Sequence, residues 1–368
     1  MKILFLADWN IEANSGVLDK IHAQVLQWSK NGHEIHLWFI SAFTNQNALP
    51  EGLENVIVFE ADTSYIFLHR KFRLFLGRAF AYRKIRKQIQ RLKPDLIYYR
   101  QGMWYPYLCS VLKKSRTVME LNTDDLSETQ FMSKINKIVY LLGRKRIIKY
   151  VNAFVSVTDE IKSRYSQYNK PIATITNSID LAGLPVIKRI PHQKPHLFFV
   201  GSPGQAWHGV DKIVQLAALL PEFNFSIAGP NTDDVPPDIV IPINVTFLGY
   251  LTKDRLWEVY KTVDVAIGTI ALHRKKMEEA CPLKTREYVG LGFPVILGYK
   301  DTDLHNSNGP VLQLPNTEDN VITSINEIRD FVENNLGKQW PDDQKKKIDL
   351  VEKEKQRLDF FASLLTRT

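Results

Sequence analysis

The stretch Met1-Lys-Ile-Leu-Phe-Leu-Ala-Asp8, with Gly16-Val-Leu-Asp-Lys-Ile-His-Ala-Gln-Val-Leu-Gln-Trp-Ser-Lys30 behind it, decides the fold. Lys2–Ala7 reads as a buried strand, because so short an apolar run suits a sheet core and no stretch of the chain approaches the roughly 18 apolar residues of a membrane span. A strand is expected here rather than a signal peptide, since Asp8 interrupts the run before any small-residue cleavage site. In the second segment Val17, Ile21, Val25 and Trp28 recur at helical spacing, and Gly32 stands where a C-terminal helix cap belongs. Strand-like runs continue at Glu34–Ile40, Val56–Phe59, Asp95–Tyr99, Thr117–Leu121, Ala153–Val157 and Ile172–Thr176. Helical patterns lie between most of them, as with Tyr82, Ile85, Ile89 and Leu92 before Pro94. Such alternation predicts a doubly wound α/β sheet.

The pattern stops at the polar, twice-proline segment Ile187–Pro195 and then restarts. Strands are expected at Leu197–Val200, Phe223–Ala228, Val245–Leu248, Val265–Ile267 and Pro294–Leu297, with helices at Gly209–Leu220, Lys253–Lys261, Lys284–Leu291 and Asp319–Asn334. The tail Asp343–Leu365 reads as one or two helices. A chain of 368 residues has room for two domains at roughly 150 residues each. The boundaries expected are residues 1–186, 187–340 and a terminal helical segment 341–368, with a ligand cleft between the two α/β halves.

Composition narrows the function. With 44% hydrophobic and 24% charged residues the chain is an ordinary globular one. Two cysteines, Cys109 and Cys281, are too few for a disulfide scaffold and fit a cytoplasmic setting. Residues 1–185 carry 26 Lys+Arg against 16 Asp+Glu, a net +10, while residues 186–368 carry 22 against 24, a net −2. The excess sits in Arg70–Lys93, with ten basic residues and no acid, and in Lys134–Lys149, with six. A solvated charged face is one reading. An anionic membrane surface or lipid-diphosphate acceptor is another, supported by Phe72, Phe75 and Phe80 among Arg83, Lys84, Arg86 and Lys87. Nucleic acid is not expected, since no zinc, helix-turn-helix or RNA-binding signature accompanies the charge.

The segment carrying most chemistry is Glu279-Ala-Cys-Pro-Leu-Lys-Thr-Arg-Glu287. Pro282 opens a helix, which leaves Glu279 in the preceding loop and Glu287 on the helix. The free amides at the helix start form an anion site, reinforced by Lys284 and Arg286. Glu287 can accept hydrogen bonds from the vicinal hydroxyls of a ribose, so one segment could answer a nucleotide diphosphate. Glu287 could equally pair with Lys284 or Arg286 on a solvated helix. Asp301-Thr-Asp303 spells a metal-binding Asp-x-Asp, but it lies where a turn is expected and Asp commonly caps.

Glu279 and Glu287 at this spacing, followed by Gly292-Phe-Pro-Val295, resemble the signature of retaining nucleotide-sugar glycosyltransferases of GT-B architecture. The bacterial family-4 type, which builds capsule, lipopolysaccharide and similar polymers, is the nearest in pattern. Other stretches resemble it in order: Ser15-Gly16, Glu120-Leu-Asn-Thr-Asp-Asp-Leu126, Asn177-Ser-Ile-Asp180, Val200-Gly201 and Gly209-Val-Asp-Lys212. The resemblance implies two Rossmann-like domains and a C-terminal helix crossing back to the first. It implies a donor site of Ser15, Gly16, Gly201, Ser202, His208, Lys284, Thr285 and Glu287, with Glu279 on the donor sugar. The first-domain loop would meet the acceptor through Asn122 and Asp124, the latter orienting its hydroxyl. No cofactor and no metal are implied; the nucleotide sugar is a co-substrate, and the acceptor is a glycan or lipid-linked. The enzyme implied is a hexosyltransferase held peripherally on the anionic inner membrane.

The chain departs from the family pattern where an Arg and a Lys usually contact the diphosphate: Ser202 and His208 stand there. Two other readings stay open, a nucleotide-sugar epimerase on the same fold and a non-catalytic glycan-binding module.

Overall fold

The computed structural model describes residues 1–11, 16–49, 51–61 and 69–366. The chain divides into two compact units, Met1–Ile175 with Glu354–Thr368, and Thr176–Lys353. In the first, the elements run β1 (Lys2–Asp8), α1 (Gly16–Lys30), β2 (Glu34–Ser41), β3 (Val56–Glu60), α2 (Arg70–Leu92), β4 (Leu96–Arg100), α3 (Leu108–Leu112), β5 (Arg116–Leu121), α4 (Asp125–Glu128), α5 (Lys134–Tyr150), β6 (Ala153–Ser156), α6 (Asp159–Tyr165) and β7 (Ile172–Thr174). All seven strands are parallel in the order β3-β2-β1-β4-β5-β6-β7. The expected amphipathic face of α1 buries Ile21, Val25 and Trp28, and Gly32 takes the left-handed conformation (φ 78°) that favours glycine at a helix end.

In the second unit the elements are β8 (His196–Val200), α7 (Val210–Leu219), β9 (Asn224–Ala228), β10 (Val245–Gly249), α8 (Lys253–Tyr260), β11 (Val265–Ile267), β12 (Glu279–Ala280), α9 (Leu283–Gly290), β13 (Val295–Leu297), β14 (Lys300–Asp301), β15 (Val311–Gln313), α10 (Asn320–Thr323), α11 (Ile325–Asn335) and α12 (Asp342–Lys345). Six parallel strands follow the order β10-β9-β8-β11-β13-β15, the same winding as the first sheet, and β12 pairs with β14 apart from them. α13 (Leu350–Thr366) ends the chain.

The domain boundaries differ from those read in the sequence. The division falls at Thr176, ahead of Ile187–Pro195, because the intervening residues are tied into the second unit. Asn177 Nδ2 donates to the Cys281 carbonyl (2.8 Å), Arg286 Nε to the Asn177 carbonyl (2.8 Å), and the Ile190 amide to the Lys261 carbonyl (2.7 Å). At the other end, residues 341–353 belong with the second unit, and from Glu354 onward the chain belongs with the first. There Trp28 Nε1 donates to Glu354 Oε2 (2.7 Å), Arg357 Nε donates to the same atom (2.9 Å), and Phe361 packs edge-on to Trp28 (5.6 Å). The helix expected over Asp319–Asn334 is broken at Ser324 into α10 and α11.

Candidate functional site

In a doubly wound sheet, ligands bind outside the carboxyl ends of the two strands where the winding reverses. In the second unit those strands are β8 and β11. β8 runs into Gly201, where a Cβ would stand 2.7 Å from the His208 ring. Gly229, at φ +90°, crosses so close that a Cβ would meet the Gly201 carbonyl at 1.8 Å. Only glycine allows this packing, and it leaves a bare backbone at the end of β8.

α9 is docked on the same edge by Tyr288, whose hydroxyl accepts from the Val200 amide (2.9 Å). The first-turn amides of α9 are among the donors that every helix leaves unpaired. Lys284 lies in that turn. Its Nζ is enclosed 3.8 Å over the Phe199 ring and has no hydrogen-bond acceptor. Burial pushes the Lys284 ammonium well below its usual range. His208 stands beside it with Nδ1 also unsatisfied. Burial, then the Lys284 charge, push its imidazole down to about 2, so the ring is neutral at physiological pH rather than half-titrated. Gly201, His208 and Lys284, which the sequence places in separate segments, are thus brought together, with Ser202 exposed next to them. An enclosed cation without an anion, glycine backbone and helix-start amides together suit a diphosphate.

The two glutamates sit on either side of this helix start. Glu287 accepts from the Tyr260 hydroxyl (2.6 Å), not from Lys284 or Arg286. Glu279 belongs to β12 rather than to a loop; it is buried and paired with Lys300 (2.8 Å). Thr285, read as a donor contact, is wholly buried and shares a hydrogen bond with the Tyr299 hydroxyl (2.8 Å), because it falls on the inner face of α9. Arg286 does not reinforce the anion site either. It is buried and grips Asp301 with one Nη (3.0 and 2.8 Å) and Asp303 with the other (3.0 Å). Lys353 takes the remaining Asp303 oxygen (2.7 Å). The Asp-x-Asp carboxylates are therefore spent on an arginine and a lysine.

In the first unit Gly16 opens α1, and Ser15 lies outside the described residues. The catalytic reading of Asp124 gives way to a structural one. It is the N-cap of α4, accepting from the Leu126 and Ser127 amides (3.3 and 3.1 Å), and it is ion-paired with Arg164. Its geometry matches a capping aspartate. Asn122 is equally engaged, accepting from Lys20 (2.6 Å) and donating to Glu120 (2.8 Å). Burial alone would raise Glu120, but Lys20, Arg100 and Arg357 outweigh it and hold the carboxyl well below its usual range. Arg83, Lys84 and Lys87 are exposed on α2; Arg86 is half-buried with its guanidinium over the Tyr107 ring (5.4 Å).

The sequence reading did not single out what stands at the first sheet's own reversal point: Asp8 at the end of β1, Trp9 after it and Arg100 at the end of β4.

Two parallel Rossmann-like sheets of identical winding define a GT-B glycosyltransferase fold. Solved structures of that class match over the whole chain. Sucrose-phosphate synthase from Thermosynechococcus elongatus superposes with TM-score 0.71 at 14% identity, covering 100% of both chains. The catalytic domain of starch synthase IV from Arabidopsis thaliana, bound to ADP and acarbose, gives 0.67 at 11% identity, again covering 100% of both. A lipopolysaccharide outer core galactosyltransferase in its apo form gives 0.65 at 12%, covering 99% of this chain and 100% of that one. No curated protein matches the sequence. Residues 21–182 match the family described as Glycosyltransferase Family 4, and over its whole length the chain has the GT-B fold.

Proposed function

We propose that the protein is a retaining, metal-independent hexosyltransferase that takes a nucleotide sugar in the second unit. It passes the sugar to a glycan or lipid-linked acceptor in the biosynthesis of a cell-surface polysaccharide. The observation carrying this reading is Lys284 Nζ, enclosed without an acceptor beside neutral His208 at the start of α9. Cleavage of the donor leaves an oxocarbenium-like sugar and a diphosphate whose charge grows in the transition state; Lys284 and the helix-start amides would stabilise it. Glu287 would hold the ribose and Glu279 the donor sugar. The acceptor hydroxyl would attack on the face that the diphosphate leaves, with a phosphate oxygen taking its proton. Asp301 and Asp303, held by Arg286 and Lys353, are poorly placed to take up a metal as well.

The acceptor side rests on surface chemistry. Among the described residues no helix is long and apolar enough to cross a membrane. α2 exposes Phe72 (56%) and Phe80 (42%) along its basic length, and α5 exposes Ile138 (59%) and Leu142 (55%) between Lys134 and Lys149. Both helices pack on α3. Apolar side chains bordered by cations suit docking on an anionic leaflet.

The test is a thermal-shift screen over nucleotide sugars, followed by product analysis. A ligand at 100 times its dissociation constant should add about 2.7 kcal/mol. Transfer to an added acceptor with the anomeric configuration kept supports the reading. Conversion of the donor alone to its epimer would replace it with the epimerase.

A further inference from the structure

The chain passes from one unit to the other twice, between Ile175 and Thr176 and between Lys353 and Glu354. Just inside the second unit the two passages are clasped together. The Ile179 amide donates to the Ile348 carbonyl (2.9 Å), and the Leu350 amide to the Ile179 carbonyl (2.9 Å). α9, the helix that carries Lys284 and Glu287, is seated on the first passage at both ends. Ahead of its Pro282 N-cap, the Cys281 carbonyl accepts from Asn177 Nδ2 (2.8 Å). At its last residue, Gly290, the side chains of Leu184, Leu181 and Ile179 close to within 2.5, 3.3 and 3.4 Å of where a Cβ would stand.

Between those ends stands Arg286, wholly buried. Its guanidinium is divided among three segments. Nε donates to the Asn177 carbonyl (2.8 Å) on the first passage, one Nη to both oxygens of Asp301 (3.0 and 2.8 Å), and the other Nη to Asp303 Oδ2 (3.0 Å). Asp303 Oδ1 accepts from Lys353 Nζ (2.7 Å), and Lys353 is the last residue before the second passage. One arginine on α9 therefore reaches both passages, directly on one side and through a single carboxylate on the other. Stability alone does not account for it. Charges taken out of water gain little over apolar side chains of the same volume, and burial leaves the Asp301 carboxyl above its usual range even against Arg286. What an apolar side chain cannot supply is direction, because a planar fork fixes the angle at which each partner is held.

We infer that Arg286 is a positioning residue that joins α9 and both passages into one mechanical element, so that an anion bound at the start of α9 steadies the chain where it leaves the second unit. α9 presents Lys284 to the Phe199 ring and Glu287 to the Tyr260 hydroxyl. A diphosphate drawing on Lys284 and the first-turn amides pulls on the same eight-residue helix whose Arg286 holds Asn177 and Asp303. Neither passage shifts without turning the fork off one of its partners. Coupling of this kind is reciprocal: whatever loosens the passages weakens the anion site. The inference rests on the nucleotide-sugar reading of that helix start and adds that its occupancy is felt at both passages.

The experiment is amide hydrogen exchange of the full chain, alone and with UDP or ADP. It is read in α9 and at Ile179 and Lys353, whose amides donate to the Ile348 and Asp349 carbonyls. In wild type, a nucleotide that slows exchange in α9 should also slow it at Ile179 and Lys353 by about fivefold or more, the low end of coupling between linked sites. Lys353→Met leaves Arg286 on Asn177, so it should keep the slowing at Ile179 and lose it at Lys353. Arg286→Met combined with Asp301→Asn, which strands no charge at 301, should keep the slowing in α9 and lose it at both passages. If that pair does not fold, Lys353→Met decides alone. A network that only stabilised the fold would raise basal exchange in these variants and leave the nucleotide-dependent ratios as in wild type. If α9 slows in wild type and the passages do not, or if the variants keep wild-type ratios, the inference is wrong and the donor reading stands. If neither nucleotide slows exchange in α9, the donor reading fails and the inference with it.

Discussion

At the end of β8 the chain sets Gly201, neutral His208 and the enclosed Lys284; at the corresponding end of β1 it sets Asp8, Trp9 and Arg100. The two sheets share one strand order, so winding alone does not separate their roles. The difference lies in how charge is settled. In the first unit, among the described residues, Lys20 and Arg100 meet Glu120, Arg78 meets Asp8, and Arg357 meets Glu354. In the second, Lys284 has none. A self-satisfied rim suits a neutral polyhydroxylated ligand, and an unsatisfied cation suits an anion that arrives later.

The sharpest blow to the self-satisfied side is Glu354→Ala. It leaves Arg357 buried without its carboxylate and Trp28 Nε1 without its acceptor, and should destabilise the first unit by about 3–5 kcal/mol in denaturant unfolding. A loss below 1 kcal/mol would mean the buried charges are not settled internally.

The mirror-image substitution is Lys284→Met, which should lower transfer about 10²–10³-fold. The apo protein should be no less stable, because an enclosed ammonium without an acceptor costs stability. The pH dependence follows from its sign. Burial lowers Lys284 in the free protein, and a bound diphosphate restores the charged form, so binding takes up a proton. Nucleotide affinity should therefore be highest at low pH and fall by up to about tenfold per pH unit above the depressed Lys284 value. In Lys284→Met the profile should be flat over that window; isothermal titration in buffers of different ionisation enthalpy measures the proton directly.

Glu287→Ala tests whether recognition in the second unit extends past the diphosphate. It leaves the Tyr260 hydroxyl without its acceptor and should cost about 1–3 kcal/mol of donor binding. Unchanged affinity in a folded variant would confine recognition to Lys284 and the α9 amides. The smallest effect per residue is at the surface. Changing Arg83, Lys84, Arg86 and Lys87 to Gln should release the protein from anionic liposomes, at up to about 1 kcal/mol each, while sparing nucleotide binding. Raised salt should mimic the variant, since screening shortens the reach of exposed charge to about 8 Å at physiological ionic strength. Equal co-sedimentation of variant and wild type would make α2 a solvated face.

By itself the sequence determined the two α/β halves, because a buried parallel strand needs a continuous apolar run and its crossover helix an apolar stripe; both signals are local. Ile3–Ala7, the face of Ile21, Val25 and Trp28, and the glycine at 32 could be read without any partner. Glu279, Lys284 and Glu287 were legible as a candidate site because one nine-residue segment holds all three. The fate of individual charges was decided only by the tertiary structure. Arg286 and Lys284 are two positions apart, yet one faces Asp301 and Asp303 and the other faces no acceptor. Asp124 gained an ion pair with Arg164, forty positions on, and Thr285 turned inward to Tyr299. Trp9 acquired its cation from a strand that arrives some ninety positions later. Whether a charged group is paired depends on distances between segments remote in the chain, and no local pattern of residues carries that information.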